Sequence, residues 1–316
     1  MTAFGFPLTD RGCAFGDGLF ETLFIHAGQA RQLDDHLARL RCGLARLGLP
    51  EPTGEQVLAV LDQAIAAGAT GDGSAGVCKL VITAGGGPRG YRRPEVPELT
   101  VTDSAGPLPP PGGEPLALDP VPVVVEGMSA LRGLKHLNRL PQVLAQQSLP
   151  AGRREGLMLD PDGRVVSGTM GNLFWRERDG WHTPPLVGGT IAGTRRAWWI
   201  EVLGARITPC APGRLALAEA AFLCNAVSAW RPVGQLLGRS LGEVDAPPSD
   251  TLACIDGCWQ PPVSLGGFAT NAGQNPWPAA LSAALAGSSW GRVALAECVP
   301  CSAAIPGGAS RRSIES

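Results

Sequence analysis

Residues 106–113 read Gly-Pro-Leu-Pro-Pro-Pro-Gly-Gly, and no helix or central strand continues through such a run. Proline fixes φ and lacks a backbone donor, and glycine loses the most conformational freedom on ordering. A chain of 316 residues broken there is expected to fold as two units. These are a small α/β domain over 1–105 and, after the linker at 106–113, a larger domain over 114–250. Beyond about residue 250, Ser, Gly, Ala and Pro dominate and periodicity is lost. Residues 251–316 therefore read as a low-complexity tail, expected to be disordered apart from a short helix over 279–294.

Hydrophobic spacing fills in both units. In the first, 19–25 reads as a strand. A helix capped by Asp34 or Asp35 carries its apolar face on Leu37, Leu40, Leu44 and Leu47, and Gly48 and Pro50 stop it. Thr53 and Gln56 form a capping-box pattern ahead of a second helix. Strands at 77–83 and 99–102 flank a glycine-rich loop at 85–91. In the second unit a β-branched run covers 121–125, and a helix over 137–149 is interrupted near Pro141. A Pro-Asp-Gly turn at 161–163 joins a hairpin. Strands at 172–175, 221–225 and 231–236 accompany a helix at 194–203. Many short strands with few helices predict a barrel-like second domain.

Charge and cysteine usage exclude whole classes of function. Net charge is −2, without the clustered cations that nucleic acid or a polybasic membrane anchor requires. No run of eighteen or more uncharged apolar residues occurs, so no transmembrane helix is expected. The N-terminus lacks the basic-then-apolar pattern of a secretory signal, and the nine cysteines are odd in number. Free thiols in a reducing cytoplasm are the expectation. Cys254 and Cys258 with Cys298 and Cys301 are spaced too loosely for a zinc ribbon, and no metal is expected.

Of 26 basic side chains only Lys79 and Lys135 are lysines. Arginine stays protonated and forms no Schiff base, so any chemistry that needs a primary amine has two candidates. Lys79 lies inside a strand pattern. Lys135 stands between an apolar stretch and a helix, where desolvation would lower its pKa, although a solvated surface lysine is the commoner fate in that local context.

The rest of the chain bears on that choice. Asp10-Arg11-Gly12 with Phe15-Gly16-Asp17-Gly18-Leu19-Phe20-Glu21-Thr22, then Leu33 through His36-Leu37-Ala38-Arg39-Leu40, resemble the N-terminal motifs of the fold-type IV pyridoxal-phosphate (PLP) enzymes. Lys135-His136-Leu137-Asn138-Arg139 resembles the lysine motif of their aminodeoxychorismate lyase branch. Ser167-Gly168-Thr169-Met170-Gly171-Asn172-Leu173-Phe174 and Cys224-Asn225-Ala226 complete a colinear series spanning about residues 8–240. The resemblance implies a two-domain α/β and α+β fold with PLP between a small α/β domain and a larger pseudo-barrel domain, usually in a homodimer. It implies that Lys135 is the Schiff-base and catalytic lysine and that Arg39 holds the cofactor phosphate. Gly193, Thr194, Asn225 and Ala226 would complete the phosphate site, and Arg89 and Tyr91 would meet the substrate. The implied reaction eliminates pyruvate from 4-amino-4-deoxychorismate to give 4-aminobenzoate, a step toward folate.

Two departures bear on the chemistry. Many relatives carry Glu where Ser167 stands, and that carboxylate keeps the pyridine nitrogen protonated. Ser167 can hydrogen-bond the nitrogen but cannot hold its proton by charge, which favours elimination over transamination. Ala84 stands where related lyases tend to have Arg, leaving Arg89, Arg92 or Arg93 to meet a substrate carboxylate. Competing readings are a branched-chain or D-amino-acid aminotransferase on the same fold and a PLP-binding protein without catalysis. His136, on the opposite side of the backbone from Lys135, reads as structural.

Overall fold

In the computed structural model, residues 7–26, 29–68, 75–109, 114–241, 290, 292, 293 and 297 are described. Strand β1 (Gly18–His26) follows a short helix α1 (Arg11–Phe15). Its residues alternate strictly between a buried face, with Leu19, Glu21, Leu23 and Ile25, and a half-buried face with Phe20, Thr22 and Phe24. It pairs antiparallel with β2 (Gln29–Ala30) on one side and β3 (Gly76–Thr83) on the other, and β4 (Thr100–Pro107) closes the far edge. Helices α2 (Leu33–Leu47) and α3 (Gly54–Gly68) bury the inward face in a core of Leu19, Leu23, Leu40, Leu44, Leu61, Leu80 and Ile82.

Local chemistry sets the boundaries. The Thr53–Gln56 box forms in both directions: Gln56 N–H donates to the Thr53 hydroxyl at 3.2 Å and Thr53 N–H to the Gln56 amide oxygen at 2.9 Å. The start of α2 differs from the sequence expectation. Its N-cap is Gln32 at φ 50°, and Asp34 and Asp35 lie in the first turn, where they complement the helix dipole. Strand β4 extends through Gly106 and Pro107, so the proline-rich run begins by finishing an edge strand, a place where a missing donor is tolerated.

The remainder is strand-rich. Strands β5 (Leu116–Leu118) and β6 (Pro120–Val124) precede helix α4 (Leu140–Gln147). Pro141 opens α4 rather than interrupting a longer helix, because the first turn leaves its donors unused anyway. β7 (Leu157–Leu159) and β8 (Val165–Gly168) form the expected hairpin beside β6. A seven-stranded sheet gathers β9 (Asn172–Glu177), β10 (Gly180–Thr183), β11 (Arg206–Ile207), β12 (Ala220–Cys224), β13 (Arg231–Leu236) and β14 (Arg239–Ser240), with β5 paired to β13. Helix α5 (Thr194–Leu203) covers one part of it with the aromatic cluster of Phe174, Trp199, Phe222 and Trp230, and helix α6 (Pro212–Leu215) is a short connector.

In the C-terminal part Trp290 is only 2% exposed and Glu297 pairs with the buried Arg196, so these two residues are packed. The remainder of 251–316, including most of the helix expected at 279–294 and all four loosely spaced cysteines, lies outside the described residues. Among the described residues no helix is long and apolar enough to cross a membrane.

Candidate active site

Lys135 lies in a seam between β1 and the loop ahead of α5. Phe20 N–H donates to the Lys135 carbonyl at 2.9 Å and Leu137 N–H to the Gly18 carbonyl at 3.0 Å. On the other side Ala192 N–H donates to Gly133 O and Gly133 N–H to Thr190 O, both at 3.0 Å. The lysine backbone is thus fixed from two elements at once. Burial, and next the Arg39 charge, push the Lys135 ammonium down to about 7 despite the opposing pull of Glu21. A buried amine that is substantially neutral at neutral pH is a nucleophile and a base.

Arg139 anchors the same seam from below. Its guanidinium donates to the carbonyls of Leu134 and His136, which flank Lys135, and to Gly189, each at 2.9 Å. Burial, with Arg39 second, lowers Arg139 to about 10. His136 is buried and neither ring nitrogen has a hydrogen-bond partner. Burial and the Arg139 charge hold its imidazole neutral, down to about 3.

Arg39 reaches this seam from α2. Its Nε donates to Glu21 at 2.9 Å, one terminal nitrogen meets the other Glu21 oxygen, and the second donates to Ala192 O at 2.8 Å. His36 Nδ1 also lies 2.7 Å from Glu21. Burial alone would raise the Glu21 carboxyl, but Arg39 and His36 overcome it and hold it at about 2. The guanidinium is therefore presented rigidly beside Ala192.

Next in the chain, Gly193 caps α5 without a side chain to offer, and the buried Thr194 hydroxyl has no partner among the described residues. A side chain at Gly193 would stand 2.2 Å from the Asn172 amide oxygen. Helix N-terminal N–H groups, an unpaired hydroxyl and a fixed guanidinium together suit a phosphate dianion, so the residues present fit a phosphorylated cofactor.

Asn172 ties the other turns to this cradle. It donates to Ile191 O at 3.1 Å and pairs across the sheet with Cys224. Next in the chain, Asn225 donates to Met170 O at 3.2 Å and accepts from Val227 and Ser228. Ala226 sits half-buried inside that turn, and Ser167 is half-buried on β8. The 167–172 and 225–228 turns thus meet at the end of the sheet nearest the 191–194 loop.

Arg89 and Tyr91 are arranged differently. Both are exposed, Tyr91 by 86%. Their loop is held by its backbone: Arg11 donates to the carbonyls of Gly90 and Tyr91, at 3.1 and 2.7 Å. The Tyr91 ring lies 5.3 Å from that of Phe15, and Asn138 in the lysine motif donates to neighbouring Gly16 O at 2.9 Å. The loop therefore reaches the lysine seam through intermediaries. Arg93 is committed to Asp17 and to the Leu47 carbonyl, which leaves Arg89 and Arg92 as the loop's available cations.

Sequence reasoning overlooked Glu21 and Arg139 as parts of the site. Both lie inside motifs that it quoted, and each carries a charge in a stretch that otherwise reads as buried. A buried charge requires a partner, and that was the available signal. Glu177, Asp179 and His182 cluster elsewhere, but Arg206, Arg214 and Thr208 already engage them.

Residues 18–236 match the family model for amino-transferase class IV. An aminodeoxychorismate lyase of Vibrio harveyi is 30% identical over 239 residues, covering 72% of this chain and 86% of that protein. The crystal structure of a 4-amino-4-deoxychorismate lyase from Pseudomonas aeruginosa is similar at TM-score 0.72 and 35% identity, over 79% of this chain and 95% of that one. A D-alanine aminotransferase of Bacillus licheniformis is 25% identical over 242 residues, 74% of this chain and 84% of the relative.

Proposed function

The chain belongs to the class IV aminotransferase family, and on that premise we propose that it is a PLP-dependent carbon–oxygen lyase acting on 4-amino-4-deoxychorismate. The products are 4-aminobenzoate and pyruvate, and the enzyme works in the cytoplasm as a homodimer. The observation that carries this reading is the half-buried Lys135, held between β1 and the loop ahead of α5, its amine lowered to about 7 beside the Arg39–Glu21 pair.

PLP supplies an electron sink conjugated to the substrate nitrogen. Lys135 would hold the cofactor through its side-chain amine when PLP is bound. That amine, when free, would take the proton from the ring carbon that bears nitrogen. The enolpyruvyl C–O bond breaks, the ring becomes aromatic, and enolpyruvate leaves to become pyruvate. Arg39, the Gly193 and Thr194 N-terminal turn and the Asn225–Ala226 turn hold the phosphate. Ser167 donates or accepts a hydrogen bond at the pyridine nitrogen. Aromatisation drives the step, so a nitrogen without a carboxylate partner suffices. This favours the lyase over an aminotransferase, as does the match to two lyases. Arg89 and Tyr91 lie at the substrate entrance.

The visible spectrum of the purified protein, followed by borohydride reduction and peptide mapping, tests the site. A yellow protein whose reduced adduct maps to Lys135 is expected; an adduct on Lys79, or a colourless protein that stays colourless with added PLP, would overturn the reading. Lys135→Ala is expected to lower 4-aminobenzoate formation by roughly 10³-fold or more. Ser167→Glu is expected to raise the transamination half-reaction with amino acids, followed as pyridoxamine phosphate; unchanged accumulation would remove Ser167 from the explanation.

A further inference from the structure

Trp290 lies beyond residue 236, where the family match ends, yet it fills a slot between the two helices that frame the cradle. Small side chains make the slot: Ala38 and Cys42 on α2, Ala192 ahead of α5, and Ala197 on α5, with Leu186 at its rim. The indole N–H donates to Ala192 O at 3.0 Å, the carbonyl that also accepts from Arg39. The Trp290 backbone N–H donates to Asp35 at 3.1 Å, one turn before Arg39.

Glu297 closes the arrangement from the other end. Its carboxylate meets both terminal nitrogens of the buried Arg196, at 2.5 and 3.1 Å, and accepts from Leu186 N–H at 3.3 Å. Arg292 adds an exposed fork to Glu201 on α5, at 2.6 and 2.9 Å. Together these contacts join the first turns of α2 to α5 and to the loop leading into it. Surface ion pairs contribute little, but a buried Trp with both donors used and a buried fork on Arg196 fix a geometry.

We infer that Trp290, assisted by Glu297, is a positioning residue for the cofactor phosphate: it holds α2 and the N-terminal turn of α5 at the separation that lets Arg39 and Thr194 grip one phosphate. The inference rests on the reading of Arg39 and Thr194 as phosphate ligands. Its chemical content is specific. The indole orients the Ala192 carbonyl, that carbonyl fixes one arm of Arg39, and the residues that follow it are the helix-start donors. Loosening the indole therefore weakens recognition of the phosphate and leaves the pyridine end untouched.

The test uses the full chain stripped of cofactor and titrated with PLP and, separately, with pyridoxal, which lacks the phosphate. Trp290→Phe keeps the ring and deletes the donor. Its PLP affinity is expected to fall about fivefold, the effect of one hydrogen bond, with pyridoxal affinity unchanged. Trp290→Ala is expected to lose more than tenfold on PLP alone, and Glu297→Gln a smaller factor with the same selectivity. The phosphorus resonance of bound PLP should shift in Trp290→Phe. Equal losses for PLP and pyridoxal, or unchanged PLP affinity with only a lower Tm, would overturn the inference. Should Trp290→Ala fail to fold, Trp290→Phe and Glu297→Gln decide it. A parent protein that binds neither ligand would refute the cofactor reading itself, an outcome distinct from variants that bind as well as the parent.

Discussion

The seam around Lys135 and the loop around Tyr91, which the proposed function assigns to cofactor and substrate, are built on opposite plans. In the seam, cations are held by fixed partners: the buried Arg39 by the Glu21 carboxylate, which His36 also meets, and the half-buried Arg139 by three carbonyls. In the loop, the side chains of Arg89 and Tyr91 are exposed and only the backbone is anchored, through Arg11. A group that stays bound through every turnover can be met by a preformed cradle. A substrate that must enter and leave is met by side chains free to adapt. On the proposed reading, the preformed part of the molecule would meet the cofactor and the adaptable side chains the substrate.

Breaking the rigid end should have the largest effect. Glu21→Gln leaves the buried Arg39 without its counter-charge and His36 without a carboxylate acceptor, a loss of about 3 kcal/mol in unfolding free energy at neutral pH. Urea denaturation of the parent and variant measures it. The pH dependence sharpens the assignment. The Glu21 carboxyl titrates at about 2 in the fold, below its ordinary 4.5. Its stabilisation is full above pH 4.5 and is lost as pH falls toward 2, so the two unfolding curves should converge in acid. A constant gap down to pH 2 would mean that shape rather than charge holds the network.

The same contrast explains what the sequence disclosed. Strand β1, both ends of α5 and the Thr53–Gln56 box were legible because alternation, helix period and capping are local properties. Lys135 and Arg39 stand out in the sequence because they sit in short ordered motifs, and the structure brings both to one seam. Pro141 was misjudged as an interruption because a proline inside an apolar pattern and one at a helix start look alike until the register is known. The packing of Trp290 was not legible at all. Its partners, Asp35 and Ala192, lie 255 and 98 residues away, and its neighbours in sequence carry no periodicity. The Glu21–Arg39 pairing is likewise a contact between elements, visible locally only as two charges in apolar surroundings.

At the flexible end, effects should be confined to substrate handling. Arg89→Ala and Tyr91→Ala are each expected to raise KM for the substrate about tenfold, with kcat reduced less, while Tm stays within about 1 °C of the parent because neither side chain is buried. Steady-state kinetics beside thermal denaturation checks both halves. A large fall in Tm would show that the loop is part of the rigid end after all, and the contrast between the two regions would dissolve.

The smallest expected effect is the most discriminating, because the two lysines share a neighbour. The Lys135 amine lies 4.1 Å from the centre of the Phe20 ring and the Lys79 amine 5.0 Å from it. Lys79 is exposed and Lys135 is half-buried in the seam with its amine lowered to about 7, so the same chemical group against the same ring is a solvated cation in one case and a more reactive amine in the other. The Lys79 charge contributes the last and weakest of the influences that lower Lys135. In Lys79→Ala, kcat at neutral pH should stay within about twofold of the parent, since the deleted cation is solvated. On the proposed mechanism the freed Lys135 amine, lowered to about 7, acts in the substrate complex, so the acid limb of the kcat profile should move up by a few tenths of a pH unit, because a repelling like charge has gone. Screening shortens the reach of that charge, so the shift should disappear at about 1 M salt. A shift that survives high salt, or one toward lower pH, would mean that Lys79 acts on Lys135 through the Phe20 ring and the strand pairing rather than through its charge.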